Sequence, residues 1–241
     1  IYCLVDLHAI TVDHDAAGLR RQVHDTVSIL LAAGIDPQRS LLFRQSDVAE
    51  HTYLCWLLAN VTSFGELRRM HQFKEKSEQQ REFVSAGLFF YPVLQAADIL
   101  AYQTDEVPVG EDQKQHIEMA RTVAERFNSR FGNVFTVPHH RIPEVGARIL
   151  DLQDPEKKMS TTGGSDQGTV YILDQPDAIT RKFKSAVTDS GNEIRRAPDK
   201  RGISNLIEIM AVARGITPED VEGEYASDPG YARFKEDVGS V

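Results

Sequence analysis

Lys157-Lys158-Met159-Ser160-Thr161-Thr162-Gly163-Gly164 sets two ammonium groups and three hydroxyls directly before two glycines. Ammonium, hydroxyl and exposed backbone N–H groups all donate hydrogen bonds, so a loop of this composition can wrap a cluster of anionic oxygens. Transfer at phosphorus spreads negative charge over non-bridging oxygens. Positive donors that tighten on that charge favour the transition state over the ground state. Flanking glycines would let such a loop close over a triphosphate. The bland alternative is a solvated, glycine-rich connector.

A second group lies in Phe90-Tyr91-Pro92-Val93-Leu94-Gln95-Ala96-Ala97-Asp98-Ile99-Leu100. An ionised carboxylate on a segment otherwise built for burial needs a partner. Tyr91, Gln95 and Asp98 stand at i, i+4 and i+7, so a helix presents them on one face. A phenol, an amide and a carboxylate in an apolar wall suit an apolar ligand with one N–H or O–H donor. A core carboxylate satisfied by its neighbours is the alternative.

The third group is Val107-Pro108-Val109-Gly110-Glu111-Asp112-Gln113-Lys114-Gln115-His116. A strand ends, a glycine follows and an acidic pair opens a helix, which is where open α/β sheets hold ligands. Gly110 permits close backbone approach, and Glu111 or Asp112 could accept from ribose hydroxyls. Acidic residues also simply favour helix N-termini. His8, at the end of the first strand, reads as structural when taken alone. Arg68-Arg69 and Arg181-Lys182-Phe183-Lys184 read as solvated faces. No metal-ligand spacing, Gly-x-Ser-x-Gly or GxGxxG occurs.

These groups need elements to position them. Residues 2–5 read as a buried strand, followed by a helix through Leu19, Val23, Val27, Leu30 and Leu31, ended by Gly34 and Asp36-Pro37. Residues 40–44 read as a second strand, with Ser46 as N-cap of a buried helix over 47–60. Residues 74–81 read as an exposed loop or helix start. Residues 84–101 are mostly apolar with Pro92 as the expected break; 107–109 and 135–137 are strand candidates, and 112–128 a helix. This alternation predicts an α/β fold with a parallel sheet covered on both faces. Beyond Tyr171 the character shifts to consecutive helices over 176–187, 202–214 and 218–225, the last with Thr217 as N-cap and Pro218 in first position. The expected division is 1–170 and 171–241, the second module mostly helical.

The 241 residues carry 41% hydrophobic residues and a net charge of −9, which suits a globular chain and argues against one that coats nucleic acid indiscriminately. No apolar run approaches the roughly 20 residues that span a bilayer. The first residues do not read as a signal peptide. Cys3 and Cys55 form no CxxC and read as free, buried thiols of a cytoplasmic protein without structural zinc. Both ends read as cut: the chain opens inside a strand and stops just after a helix-like segment.

The stretches CLVDLHAITV, AGLFFYPVLQAADILAYQTDEVPVGEDQKQHIE, RIPEVGARILDLQDPEKKMSTT, KSAVTDS and GISNLIEI, in this order, resemble the bacterial tryptophanyl-tRNA synthetases of class I. The resemblance implies a Rossmann-type catalytic domain and a helical domain that helps bind tRNA. It implies activation of L-tryptophan by ATP with Mg²⁺, transfer to tRNA(Trp), no tightly bound cofactor, no protein-held metal and a homodimer. Under it, Asp98 accepts the indole N–H, Tyr91 contacts the amino acid's polar end, and His8, Gln95 and Gln113 complete the tryptophan site. Gly110, Glu111 and Asp112 contact ribose and Ile149 contacts adenine. Lys158, Met159, Ser160, Thr161 and Thr162 form the ATP loop, with Lys158 and Ser160 as the catalytic pair.

The chain departs from that family in two places. Thr161 stands where the KMSKS loop has its second lysine, and the HIGH-like motif would lie upstream of Ile1. Two other readings remain open from sequence. Tyr-x-x-x-Gln-x-x-Asp also resembles the specificity helix of tyrosyl-tRNA synthetases, and the missing HIGH-like motif would suit a non-catalytic ligand-binding relative.

Overall fold

The structure, a computed structural model, describes residues 1–74, 84–143, 145–146, 148–160, 164–227 and 229–241. It divides into two compact units, Ile1–Arg141 and Ile142–Val241. That division lies upstream of the expected 170/171. Leu152, Met159 and Val170 pack into the apolar cluster of the second unit, so 142–170 goes with the helices that follow it.

The first unit runs β1 (Tyr2–Leu4), α1 (Asp6–Ala9), α2 (Ala16–Ala32), β2 (Leu42–Arg44), α3 (Glu50–Ala59), α4 (Phe64–Arg68), α5 (Ala86–Leu100), β3 (Glu106–Pro108), α6 (Lys114–Phe131) and β4 (His139–Arg141). β1 pairs parallel with β2, Tyr2 opposite Leu42, and β3 pairs parallel with β4, Glu106 opposite His139. Parallel pairing is as expected. Among the described residues it is split into two two-stranded sheets instead of one continuous sheet.

α5 begins where Ser85 Oγ accepts from the Leu88 N–H at 3.0 Å, a side-chain N-cap. It then runs unbroken to Leu100 with Pro92 inside it. Pro92 therefore does not break the segment: it removes one N–H and is itself buried among Val93, Ala96 and Ala97, where packing holds the helix. α5 packs on α3 and α6 around Leu58, Leu100, Ile117, Ala120 and Val123, none of them exposed.

α3 corrects a second expectation. Its start is Glu50, and Gln45–Asp47 form a 3₁₀ turn. Ser46 caps no helix; its hydroxyl donates to Asp6 Oδ2 at 2.5 Å. His51, Cys55 and Leu58 face inward, while Tyr53 and Trp56 are 69% and 68% exposed. The strand expected at 135–137 is also absent, because the Asn128 side chain takes up the Phe135 backbone. Its Oδ1 accepts from the Phe135 N–H at 2.9 Å and its Nδ2 donates to the Phe135 carbonyl at 2.7 Å. The strand forms instead at His139–Arg141.

The second unit has four described helices: α7 (Pro176–Lys184), α8 (Arg201–Arg214), α9 (Pro218–Tyr225) and α10 (Tyr231–Val238). Thr217 caps α9 as expected, accepting from the Asp220 N–H at 3.1 Å. Ile203, Leu206, Ile207, Val221 and Phe234 are fully buried. Gly202 has a packing reason: a Cβ there would lie 2.1 Å from the Val187 carbonyl oxygen. Lys182 is only 4% exposed, against the expectation of a solvated face. Its ammonium donates to the Thr169 carbonyl at 2.8 Å and to Asp174 at 2.7 Å, which compensates its burial. No helix of the described residues is long and apolar enough to cross a membrane.

Candidate active site

In the first unit a cavity of about 1020 Å³ is lined by His8, Tyr91, Gln95, Asp98 and Gln113, together with apolar residues such as Val5 and Ile99. The five residues with an expected role in tryptophan binding thus meet in one place. Tyr91, Gln95 and Asp98 come from the single face of α5, His8 from α1, and Gln113 from the 3₁₀ turn that precedes α6.

Asp98 is the electrostatic centre of that wall. Oδ2 accepts from His8 Nε2 at 2.8 Å, Oδ1 accepts from His51 Nδ1 at 2.5 Å, and Gln45 Nε2 reaches both oxygens at 2.9 and 2.8 Å. Burial opposes ionisation here. The hydrogen bonds from His8, His51 and Gln45 outweigh it and hold the carboxyl below the ordinary carboxylate range. Asp98 is therefore an anion, and each histidine nitrogen facing it carries the proton it donates. The other nitrogen of His51 meets the Tyr102 hydroxyl at 2.8 Å, which continues the chain of hydrogen bonds.

His51 and Gln45 were not singled out from sequence, yet both are wholly buried. The available signal was their polarity: a histidine within an apolar helix and a glutamine just before it. The Gln45 amide also joins elements, since its Oε1 accepts from the Leu7 N–H at 3.1 Å.

Burial pushes the Tyr91 phenol up to about 12, so it keeps its proton at neutral pH. Its oxygen lies 2.8 Å from Nε2 of the buried His116, and its ring meets that of His8 edge-on at 5.9 Å. Gln95 Nε2 donates to Gln113 Oε1 at 3.4 Å, and Gln113 Nε2 donates to Asp112 Oδ2 at 3.0 Å. Glu111 and Asp112 are exposed at the turn after β3, and Gly110 has an ordinary extended backbone, φ −76° and ψ 165°. Cys3 also lines the cavity. Burial, then Asp98 and Asp6, pushes its thiol up to about 12.

In the second unit the lysine-bearing segment doubles back on Ile149–Leu152. The Met159 N–H donates to the Ile149 carbonyl and the Asp151 N–H to the Lys157 carbonyl, both at 2.9 Å. Lys157 and Lys158 are exposed, and Lys157 pairs with Asp154 at 2.8 Å. Met159 packs its side chain against the apolar cluster. Ser160's carbonyl accepts from Thr169 Oγ1 at 3.1 Å. Gly168 covers the buried Asp151 carboxylate so closely that a Cβ there would lie 1.9 Å from Oδ1. Thr161 and Thr162 lie outside the described residues. Among the described residues no group of three or more His, Cys, Asp or Glu is placed to hold a metal.

Comparison with known proteins supplies the chemical context. A family model described as tRNA synthetases class I (W and Y) matches residues 1–239. The chain is 49% identical over 241 residues to a tryptophan–tRNA ligase of Oceanobacillus iheyensis, covering 100% of this chain and 73% of that relative. Its fold is similar to the crystal structure of tryptophanyl-tRNA synthetase from Mycoplasma pneumoniae, with a TM-score of 0.90 and 37% identity over 98% of this chain and 73% of that one. It is also similar to the Campylobacter jejuni tryptophanyl-tRNA synthetase complexed with ADP and tryptophane, with a TM-score of 0.72 and 33% identity over 98% and 72% of the two chains.

Proposed function

The chain belongs to the class I tRNA synthetases for tryptophan and tyrosine, and from that premise we infer that it activates L-tryptophan with ATP and transfers it to tRNA(Trp). One observation carries the choice of amino acid: an ionised carboxylate, Asp98, lines a cavity beside apolar residues such as Val5, Ile99 and Val107. An indole brings a large apolar surface and one N–H, and the wall around Asp98 offers apolar contact and a buried anionic acceptor held by donors from His8, His51 and Gln45. The donors on Asp98 orient that acceptor before the ligand arrives, which reduces the cost of ordering it on binding.

In the first step a tryptophan carboxylate oxygen attacks the α-phosphorus of ATP. A new P–O bond forms, the bond to the β-phosphate oxygen breaks, and pyrophosphate leaves. Tyr91, Gln95 and Gln113 hold the amino acid's polar end, and His8 closes the indole pocket. Gly110, Glu111 and Asp112 receive the ribose, and Ile149 receives adenine through its backbone. Lys158 and Ser160 meet the charge that develops on the phosphates, with Met159, Thr161 and Thr162 completing the loop. Mg²⁺ enters with the ATP phosphates as part of the substrate. In the second step a terminal ribose hydroxyl of tRNA attacks the acyl carbonyl and AMP leaves.

The first unit serves as part of a Rossmann-type catalytic domain, and the helices α7–α10 help bind tRNA in the cytoplasm. Exposed Tyr53, Trp56 and Phe64 support a homodimer, since large aromatics of this kind are enriched at protein interfaces. Tryptophan-dependent ATP–pyrophosphate exchange tests the activation step and the choice of amino acid. Exchange with tryptophan but not tyrosine is expected, and exchange with tyrosine alone would refute the assignment.

A further inference from the structure

The strand that leads into the lysine-bearing loop is completed by a side chain. Leu150 and Lys158 face each other as an antiparallel bridge. The flanking bonds run from the Asp151 N–H to the Lys157 carbonyl and from the Met159 N–H to the Ile149 carbonyl. Leu150 and Lys158 are thus the non-hydrogen-bonded kind of pair, and the N–H and carbonyl of Leu150 turn away from the loop strand. Both end on Asn205. The Leu150 N–H donates to Asn205 Oδ1 at 2.7 Å, and Asn205 Nδ2 donates to the Leu150 carbonyl at 3.0 Å.

The Asn205 amide therefore stands where a third strand would, offering one acceptor and one donor in the order a peptide group would offer them. It sits on α8 between Ile203 and Leu206, both fully buried, and is itself only 4% exposed. A small cavity of about 260 Å³ lies beside Leu150 and Asn205, so losing either bond leaves a backbone group of Leu150 with only water in that cavity to meet it. An amide at this position is explained by the strand it completes.

We propose that Asn205 is a positioning residue for adenylate formation: by matching both backbone groups of Leu150 it fixes the strand pair from which Lys157, Lys158 and Ser160 address the nucleotide. Its kinetic part rests on the ligase reading; its structural part does not.

Asn205→Asp separates positioning from packing, because the two side chains are nearly the same size. An ionised aspartate still accepts from the Leu150 N–H but sets a second anionic oxygen against the Leu150 carbonyl. A protonated one offers one acceptor and one O–H donor, the pattern of the amide. Burial raises the pKa of such a carboxyl, so the protonated form gains weight as pH falls.

The measured quantity is the variant-to-wild-type ratio of tryptophan-dependent ATP–pyrophosphate exchange, from about pH 8 to about pH 5.5. Arg148, Glu156, Arg201 and Glu208 line a small cavity with Asn205, and Asp151 and Lys157 lie on the paired strands. Both proteins carry all six, so the ratio cancels the titration they share, while the charges of these six help set the pH at which the new carboxyl takes up its proton. At about pH 8 the variant is expected to be down about 10- to 100-fold in kcat, with the KM for tryptophan within about twofold. The ratio should recover by about tenfold or more as pH falls. Tryptic cleavage after Lys157 and Lys158 at about pH 8 should be about tenfold faster in the variant, with cleavage after Arg181 and Arg195 unchanged. If N205D fails to fold, Asn205→Ser replaces it in the trypsin comparison with the same expectation. Parallel pH profiles with equal cleavage would overturn the proposal. If wild type shows no tryptophan-dependent exchange, the ligase reading fails and the cleavage comparison alone decides: local acceleration supports the anchoring role and its absence overturns it.

Discussion

Asp98→Asn is the sharpest probe of the site. It keeps the size and shape of the side chain and removes its charge. In the structure the two carboxylate oxygens accept four hydrogen bonds, from His8, His51 and twice from Gln45. An amide turns one oxygen into a donor, which must then face another donor. His51 and Gln45 are wholly buried, so whichever is displaced has no water to turn to. An unpaired buried donor costs about 1–3 kcal/mol of stability. For a chain of this size that corresponds to a fall of roughly 2–12 °C in Tm. The indole N–H meanwhile exchanges a charge-assisted acceptor for a neutral or misdirected one. Hydrogen bonds to charged groups are worth about 1.5–3 kcal/mol, so the KM for tryptophan should rise about 10- to 150-fold. Exchange kinetics at saturating ATP with varied tryptophan, alongside thermal melts, read both effects. The KM for ATP should stay within about twofold if, as proposed, Asp98 addresses the indole. A folded variant whose KM for tryptophan is unchanged would refute the reasoning, and a rise in the KM for ATP alone would place Asp98 elsewhere in the mechanism.

Lys158→Ala should lower the rate of adenylate formation by about 10²-fold with little change in the KM for ATP, as expected of a donor that tightens on developing charge. A raised KM with kcat unchanged would show that the lysine only binds ATP. On the proposed homodimer, Trp56→Glu, at a site 68% exposed, should leave the fold intact and shift the protein towards monomer in sedimentation velocity; unchanged sedimentation would refute this face as the interface. Acid stability follows from the depressed carboxyls. Asp98 is lowered by the hydrogen bonds that outweigh its burial, and Glu66 by its bonds from Arg126. A folded pKa below the unfolded value adds stability that is complete above the unfolded value, about 3.9 for Asp and 4.3 for Glu, and is lost as pH falls through the folded values. Urea midpoints should therefore hold near neutrality and drop from about pH 4 downwards; a midpoint that rises on acidification would contradict this.

The local patterns were legible in the sequence because they depend on neighbours along the chain. The face shared by Tyr91, Gln95 and Asp98 needs only helical periodicity, and the Thr217 cap only the residues beside it. That His8, Tyr91, Gln95, Asp98 and Gln113 line one cavity agrees with the grouping made from the same source and the family resemblance. Where a neighbour in space overrides local preference, sequence misled. Asn128 consumed the backbone of an expected strand, and a close-packed interior carried α5 through Pro92.

What fixes the charge of Asp98 could not be read along the chain. His51 and Gln45 lie 47 and 53 residues away, and a buried histidine or glutamine is permitted only once its partner stands opposite. Hydrophobic pattern marked the helix as buried without showing which face turns inward: His51, Cys55 and Leu58 do, while Trp56 is exposed. Asn205 reaches Leu150 across 55 residues to take a place that periodicity would assign to packing. The sequence thus determined which groups could do chemistry, since side-chain type and helical spacing are local properties. Only the tertiary structure decided which buried polar groups hold them in place, because such groups must find their partners across the fold.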